Sequence, residues 1–87
     1  MLNMSKSKPV SRKNAAFYEE LSYNIAYYRK RAGMTQEELA EKIDISRSHL
    51  SAIEAPNIIR PFSLEILFDI ATALDIEPYK LFKISEP

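Results

Sequence analysis

The sequence predicts an all-α fold, and three observations carry that prediction. Apolar residues recur at steps of three and four, serine or threonine precedes three of these runs, and no segment alternates apolar and polar residues long enough for a strand. The 87 residues have room for one domain. We expect a flexible basic arm over residues 1–14, followed by a compact domain of five helices over residues 15–87.

The first predicted helix follows the arm. Its apolar positions share one face: Phe17, Leu21, Ile25, Tyr28 and Ala32. The only glycine in the chain, Gly33, comes directly afterwards, where a helix commonly ends with a left-handed residue. This placement predicts a tight connection to the next helix.

Two short helices are predicted next, joined by a turn of about four residues. Thr35 caps the first, and Glu38 three positions later completes a capping box. Ser46 caps the second. Their packing positions are Leu39, Ala40, Ile43, Leu50 and Ile53. Two helices crossing at such a turn form the unit that carries a recognition helix into the DNA major groove.

The last two helices follow a constrained loop that contains Pro56 and Pro61. Ser63 caps the fourth helix. Its predicted inward face comprises Leu64, Leu67, Phe68, Ala71 and Leu74. A short fifth helix starts near Pro78 and turns Leu81 and Phe82 inward.

The composition excludes several classes of protein. There is no cysteine, so disulfides and thiol chemistry are absent, and His49 is the only histidine. No run approaches about 18 consecutive apolar residues, and no signal-peptide core is visible. No nucleophile–base pair, glycine-rich phosphate loop or metal-ligand cluster is present. We therefore expect a soluble cytoplasmic protein that is not an enzyme and uses no cofactor, metal or membrane.

The net charge of zero hides an uneven distribution. Residues 1–31 hold seven basic and two acidic residues, a charge of +5, whereas residues 32–87 hold five basic and ten acidic residues, a charge of −5. Only the local potential matters at a binding face. The predicted arm, which contains Pro9 and is rich in Ser, Lys and Asn, has the composition of a basic arm and equally of a frayed terminus.

Several segments resemble the XRE family of helix-turn-helix regulators, which includes the phage Cro and repressor DNA-binding domains. The matching segments are residues 29–33, 34–43, 45–48 and 53–54 for the motif, 63–76 for the fourth helix and 79–82 for the fifth. The turn position that is usually glycine in this family is Asp44 here. Aspartate tolerates a left-handed backbone better than most residues, so we expect the turn to survive.

The resemblance implies a set of DNA-contacting residues. It assigns base contacts to Arg47, Ser48, Ser51 and Ala52 on the second helix of the motif, predicted over residues 46–55. It assigns backbone contacts to Gln36, Ser46, His49, Asn57 and Arg60. Arg47 can bond guanine at two atoms. A phosphate contact, or simple solvation of the helix, is the alternative role for this side chain.

The resemblance also implies structural and assembly roles. Arg29 and Glu54 would form an internal ion pair between the first helix and the recognition helix. A dimer seam would be built from Ile58, Ile59, Phe62, Tyr79 and Phe82.

Taken together, the sequence predicts a transcriptional regulator, in the main hypothesis a repressor, that binds a palindromic operator in double-stranded DNA as a homodimer. Phage-like repressors, restriction–modification controllers and antitoxins share this outline. The alternative is a module of the same fold that binds a protein partner, as an antitoxin does, mainly through its acidic half. The zero net charge favours that alternative.

Overall fold

The computed structural model describes residues 10–57 and 61–83, and within these ranges the chain forms four α-helices and two short 3₁₀ helices. The α-helices are α1, Ala15–Arg31; α2, Gln36–Lys42; α3, Arg47–Glu54; and α4, Leu64–Leu74. The predicted all-α fold is confirmed.

The predicted fifth helix is a 3₁₀ helix, Pro78–Phe82, rather than an α-helix. Proline at its start lacks an N–H, and a five-residue segment gains little from i→i−4 hydrogen bonds. A second 3₁₀ helix, Arg12–Asn14, precedes α1 at the end of the predicted arm. Residues 1–9 of that arm lie outside the described residues.

The predicted helix caps are all present. The Thr35 hydroxyl accepts from the Glu38 N–H at 3.0 Å, and the Glu38 carboxylate accepts from the Thr35 N–H at 2.9 Å. Ser46 and Ser63 cap α3 and α4 by accepting backbone N–H groups at 3.0 and 3.2 Å. Each cap stabilises its helix by about 1 kcal/mol, which matters for helices as short as α2 and α3.

Three residues with positive φ end helices or form tight turns. Gly33 (φ 75°) follows α1, and Asp44 (φ 61°) lies in the turn between α2 and α3, as expected. Asp75 (φ 60°) ends α4 in the same conformation, which sequence reasoning missed. Aspartate recurs at these sites because its short polar side chain tolerates the left-handed region.

The core lies where α1, the α2–α3 pair, α4 and the C-terminal 3₁₀ helix meet. Its buried apolar side chains are Ile25, Leu39, Ala40, Leu50, Ile53, Leu67, Ile70, Ala71, Leu74 and Leu81. Ala40, one of the predicted packing positions of α2, is buried in this core.

Five apolar residues assigned to the apolar helix faces are exposed instead: Phe17, Ala32, Leu64, Phe68 and Phe82. In α4 the buried stripe runs through Leu67 and Ile70 to Leu74, so Leu64 and Phe68 fall at its edge. Periodicity identifies an apolar face, but a face wider than one stripe cannot be covered by a single neighbouring helix.

Two buried polar side chains of α1 bind the backbone of other elements. The Ser22 hydroxyl donates to the Ile53 carbonyl at 2.6 Å. The Asn24 amide donates to the carbonyls of Leu81 and Lys83, each at 3.0 Å. These bonds tie the end of α3 and the C-terminal 3₁₀ helix to α1, and the helical pattern of the sequence does not reveal them.

Candidate nucleic-acid interface

The turn between α2 and α3 sets the direction of α3. The Ile45 N–H donates to the Ala40 carbonyl at 3.0 Å, and the Asp44 N–H donates to the Glu41 carbonyl at 3.3 Å. With Asp44 in the left-handed conformation, these bonds close a turn of four residues, 43–46. The helix that follows therefore starts with its first turn pointing away from the core.

The two faces of α3 have different environments. Leu50, Ile53 and Glu54 are buried against the rest of the domain. The four residues predicted to contact bases lie on the other face, and we call them the outward strip of α3: Arg47, Ser48, Ser51 and Ala52. Arg47 and Ser48 are exposed, whereas Ser51 and Ala52 are half-buried. Residues three and four positions apart are neighbours on a helix surface, so Arg47 adjoins Ser51 and Ser48 adjoins both Ser51 and Ala52.

Ser46 and His49 flank the start of the strip. The Ser46 oxygen accepts the His49 backbone N–H, and this leaves the Ser46 hydroxyl proton free to donate outwards. The His49 side chain is exposed. Asn57 is exposed beyond the end of α3, and Arg60 lies outside the described residues.

The pair implied for Arg29 and Glu54 is a buried, two-bond ion pair. Arg29 Nε lies 2.7 Å from Glu54 Oε2, and Arg29 Nη2 lies 3.0 Å from Glu54 Oε1. Arg29 Nη1 also donates to the Met34 carbonyl at 2.7 Å. The side chains are 9% and 5% exposed. The pair therefore joins α1, the α1–α2 connection and the end of α3.

Gln36 has a partner that sequence reasoning did not foresee. Its Nε2 donates to Glu54 Oε1 at 2.9 Å, so the amide lies on the ion pair. The side chain is half-buried at the first position of α2. Gln36 and Glu54 are 18 positions apart, and no local pattern indicates such a contact.

Charges of both signs lie near the start of α2, since its own first turn contains Glu37 and Glu38. The last turn of α1 contains Arg29, Lys30 and Arg31, and the four-residue connection to α2 includes the Met34 N–H bond to the Arg29 carbonyl. Lys30 and Arg31 are exposed. The N-terminus of a helix also attracts anions through its free N–H groups and its dipole.

Three of the five predicted dimer-seam residues lie within the described residues. Phe62 is half-buried and packs edge-to-face on Tyr18, with ring centroids 6.3 Å apart. Tyr79 and Phe82 are exposed on the C-terminal 3₁₀ helix. Ile58 and Ile59 lie outside the described residues.

An apolar groove of about 560 Å³ is lined by two of these seam residues and by residues that the sequence predicted to face the core. Phe62 and Phe82 line it together with Phe17 and Leu64. The exposed rings and the leucine side chain come from α1, α4 and the C-terminal 3₁₀ helix. These exposed apolar side chains make the groove a candidate interaction surface.

Two structural findings limit other kinds of site. Within residues 10–57 and 61–83, no group of three His, Cys, Asp or Glu side chains is close enough to hold a metal ion. No helix in the same residues is long and apolar enough to span a membrane.

Comparisons with known proteins agree with this architecture. A family model described as helix-turn-helix matches residues 25–81. The restriction–modification controller protein C.AhdI from Aeromonas hydrophila is 34% identical over 77% of this chain and 98% of that chain, with a TM-score of 0.70. Comparison with curated proteins found no match.

Two further similar structures contain SinR, a protein of Bacillus subtilis. SinR in complex with DNA, described as the master regulator for biofilm formation, is 33% identical over 72% of this chain and 98% of that chain, with a TM-score of 0.66. A complex of SinR with SinI gives the same identity and TM-score over 72% of this chain and 60% of that chain.

The family model covers most of the domain, from the middle of α1 to the C-terminal 3₁₀ helix. The identity to C.AhdI extends over more than two thirds of this chain. This family consists of regulators and not of enzymes. The chain therefore belongs to the XRE family of helix-turn-helix DNA-binding transcription regulators.

Proposed function

We propose that this regulator represses transcription by binding a palindromic operator as a symmetric dimer, with α3 in the major groove. The observation that carries the proposal is the outward strip of α3, because Arg47 and Ser48 are exposed at the start of the helix whose Leu50, Ile53 and Glu54 are buried. SinR, which is similar over most of this chain, was solved with DNA. A recognition helix presents its N-terminal residues to base edges in this way.

Within the strip, Arg47 carries most of the sequence preference. Its guanidinium is exposed and forms no ion pair within the described residues. A bidentate contact to guanine discriminates by about 1–3 kcal/mol. Ser48 and Ser51 add hydrogen bonds to base edges, and Ala52 adds an apolar contact or permits close approach.

The flanking residues bind the DNA backbone. Gln36 lies at the start of α2, where the helix terminus and the nearby basic residues favour phosphate. Ser46, His49 and Asn57 are exposed around the strip and reach adjacent phosphates, and Arg60 completes the set. Backbone contacts of this kind orient the protein on the duplex.

Dimerisation uses the exposed aromatic residues of the C-terminal part. Tyr79 and Phe82 are exposed, and Phe82 lines the apolar groove beside Phe62. Ile58 and Ile59 belong to the same seam. In a two-fold dimer the same patch of each copy meets its equivalent, so the two recognition helices would contact half-sites about 10–10.5 bp apart.

Selection from random duplex DNA, followed by a salt titration on the enriched sequence, tests the proposal. We expect an enriched palindrome and an affinity that falls steeply as salt rises, because bound phosphates release counterions. Flat, undetectable binding to the selected and random duplexes at low salt would contradict DNA recognition. A reporter gene placed behind the selected sequence then distinguishes repression from activation.

Binding to a protein partner is the second candidate function, and the apolar groove favours it. SinR was solved with a partner protein, SinI. Sedimentation of the purified protein with and without its DNA site separates the two uses of the apolar surface. A dimer that forms without other components supports the operator model, whereas a monomer that remains a monomer on DNA favours a different partner.

A further inference from the structure

The carboxylate of Glu54 accepts hydrogen bonds from two different elements. Oε2 accepts from Arg29 Nε at 2.7 Å, and Oε1 accepts from both Arg29 Nη2 at 3.0 Å and Gln36 Nε2 at 2.9 Å. Glu54 is the last residue of α3, and Gln36 is the first residue of α2. The Gln36 amide therefore joins the start of one helix of the motif to the end of the other.

This hydrogen bond is stronger than one between exposed neutral groups. Glu54 is buried and charged, and a bond donated to a charged group is about twice as strong as one between neutral groups. The two helices have seven and eight residues, too few to hold their own geometry in water. The bond between their far ends therefore adds to the turn and to the packing of Leu39, Ala40 and Leu50 in fixing how α2 is oriented on α3.

We propose that Gln36 is a positioning residue, which holds the start of α2 at a fixed distance from the end of α3. This inference rests on the proposed DNA-binding function and refines the role of Gln36 in it. Phosphate contacts fix the orientation of a protein on the duplex, whereas base contacts specify the sequence. By locking the phosphate-binding terminus of α2 to α3, Gln36 keeps the outward strip of α3 aligned with the bases.

The geometry of the amide allows this role together with a phosphate contact. Nε2 carries two N–H groups, and only one of them is needed for Glu54 Oε1. The second N–H of the amide is available to an anion, whereas the Glu38 N–H in the same turn is already bonded to the Thr35 hydroxyl. The side chain thus belongs to the protein framework before DNA arrives, and its removal affects more than one phosphate bond.

The variant Gln36→Met tests the proposal because it keeps the side-chain length and removes the donor. We would measure the affinities for the selected operator and for an unrelated duplex at the same salt, and the melting temperature of the free protein. We expect the operator-to-unrelated affinity ratio to fall about tenfold, and the melting temperature to fall by about 4–8 °C. The matched control is Glu37→Gln, because Glu37 is an exposed neighbour. This variant should change both affinities by the same factor and so leave their ratio unchanged.

A second variant, Gln36→Lys, returns a donor of similar reach. We expect it to recover most of the affinity ratio and of the melting temperature lost in Gln36→Met, because an ammonium can donate to Glu54. The added charge by itself should strengthen binding to both duplexes by the same factor, so any recovery of the affinity ratio is due to the restored donor.

Three outcomes would overturn the proposal. If Gln36→Met weakens binding to both duplexes by the same factor and leaves the melting temperature of the free protein unchanged, the amide acts only on phosphate. If the melting temperature falls while the ratio stays constant, the bond is merely structural. If Gln36→Lys recovers neither quantity, a donor at this position is not what matters. Failure of the proposed function itself is distinguishable, because the unmodified protein would then bind neither duplex.

Discussion

The hydroxyl of Ser22, in the middle of α1, donates a 2.6 Å hydrogen bond to the backbone carbonyl of Ile53, near the end of α3. Both residues are buried, so water cannot replace the donor. The last turn of α3 would otherwise leave this carbonyl without a partner inside the helix. The recognition helix is thus held on α1 through its backbone as well as through the Arg29–Glu54 pair.

The first prediction concerns this hydrogen bond. Ser22→Ala leaves the Ile53 carbonyl buried and unsatisfied, and we expect a loss of about 1–3 kcal/mol in the free energy of unfolding. Urea denaturation followed by circular dichroism measures it. Ser11→Ala is the matched control, since Ser11 is exposed and its side chain makes no capping bond. Equal stabilities of the two variants would contradict the role of Ser22.

The second prediction concerns the buried ion pair. Arg29→Met strands the Glu54 carboxylate in the interior, and we expect a loss of about 3–5 kcal/mol in the free energy of unfolding. Lys30→Met, on the exposed side of the same turn, should change it by less than about 0.5 kcal/mol.

The double variant Arg29→Met with Glu54→Leu completes this test by calorimetry. Since it removes both buried charges, we expect it to be more stable than Arg29→Met alone. A double variant less stable than the single one would show that packing of the arginine stem, and not the stranded charge, accounts for the loss.

The third prediction concerns the left-handed residues. Glycine has no Cβ to strain a positive φ, so Asp44→Gly should raise the free energy of unfolding by up to about 1 kcal/mol, and Asp75→Gly should behave alike. Asp69→Gly, inside α4, should lower it by about 0.5–1 kcal/mol because glycine is a poor helix former there. Thermal unfolding of the three variants checks the contrast. A loss of stability at both positive-φ sites would mean that the aspartate side chains contribute bonds that outweigh the backbone strain.

The fourth prediction concerns base recognition. Arg47→Ala should weaken operator binding by about 1–3 kcal/mol and relax the preference at one base pair of each half-site. The melting temperature should stay unchanged, because Arg47 is exposed. Repeating the selection with the variant measures the preference. Weakening by the same factor on every sequence would instead assign Arg47 to phosphate.

The fifth prediction concerns the dimer. Substitution of both exposed aromatic residues of the C-terminal 3₁₀ helix, Tyr79→Ser with Phe82→Ser, should shift the protein towards monomer in sedimentation at micromolar concentration, since apolar burial drives association. Tyr23→Ser is the control, because Tyr23 is 62% exposed on α1 and Tyr79 is 60% exposed. A monomer shift in the control alone would place the seam on α1.

Features fixed by neighbouring residues were predictable. The capping box of Thr35 and Glu38, the stop at Gly33 and the left-handed turn at Asp44 each depend on residues within about four positions of one another. A side chain and a backbone N–H at such spacing meet in almost any fold that contains the helix. The spacing of Leu50 and Ile53 likewise predicted the buried face of α3, whereas the residues assigned to DNA came from the family resemblance.

Only the tertiary structure decided which distant segments contact each other. Gln36 bonds Glu54 across 18 positions, and Ser22 bonds Ile53 across 31, and neither contact has a signal in local periodicity. The exposure of Phe17 and Phe82 also depends on distant segments. The sequence pattern places both residues on apolar faces, but the packing of α1, α4 and the C-terminal 3₁₀ helix decides which apolar side chains are buried. The sequence by itself determined the helices, their caps and the direction of the recognition helix, because those depend on local backbone chemistry. The connection that orients α2 on α3 required the folded chain, because it depends on which distant groups the core brings within hydrogen-bond distance.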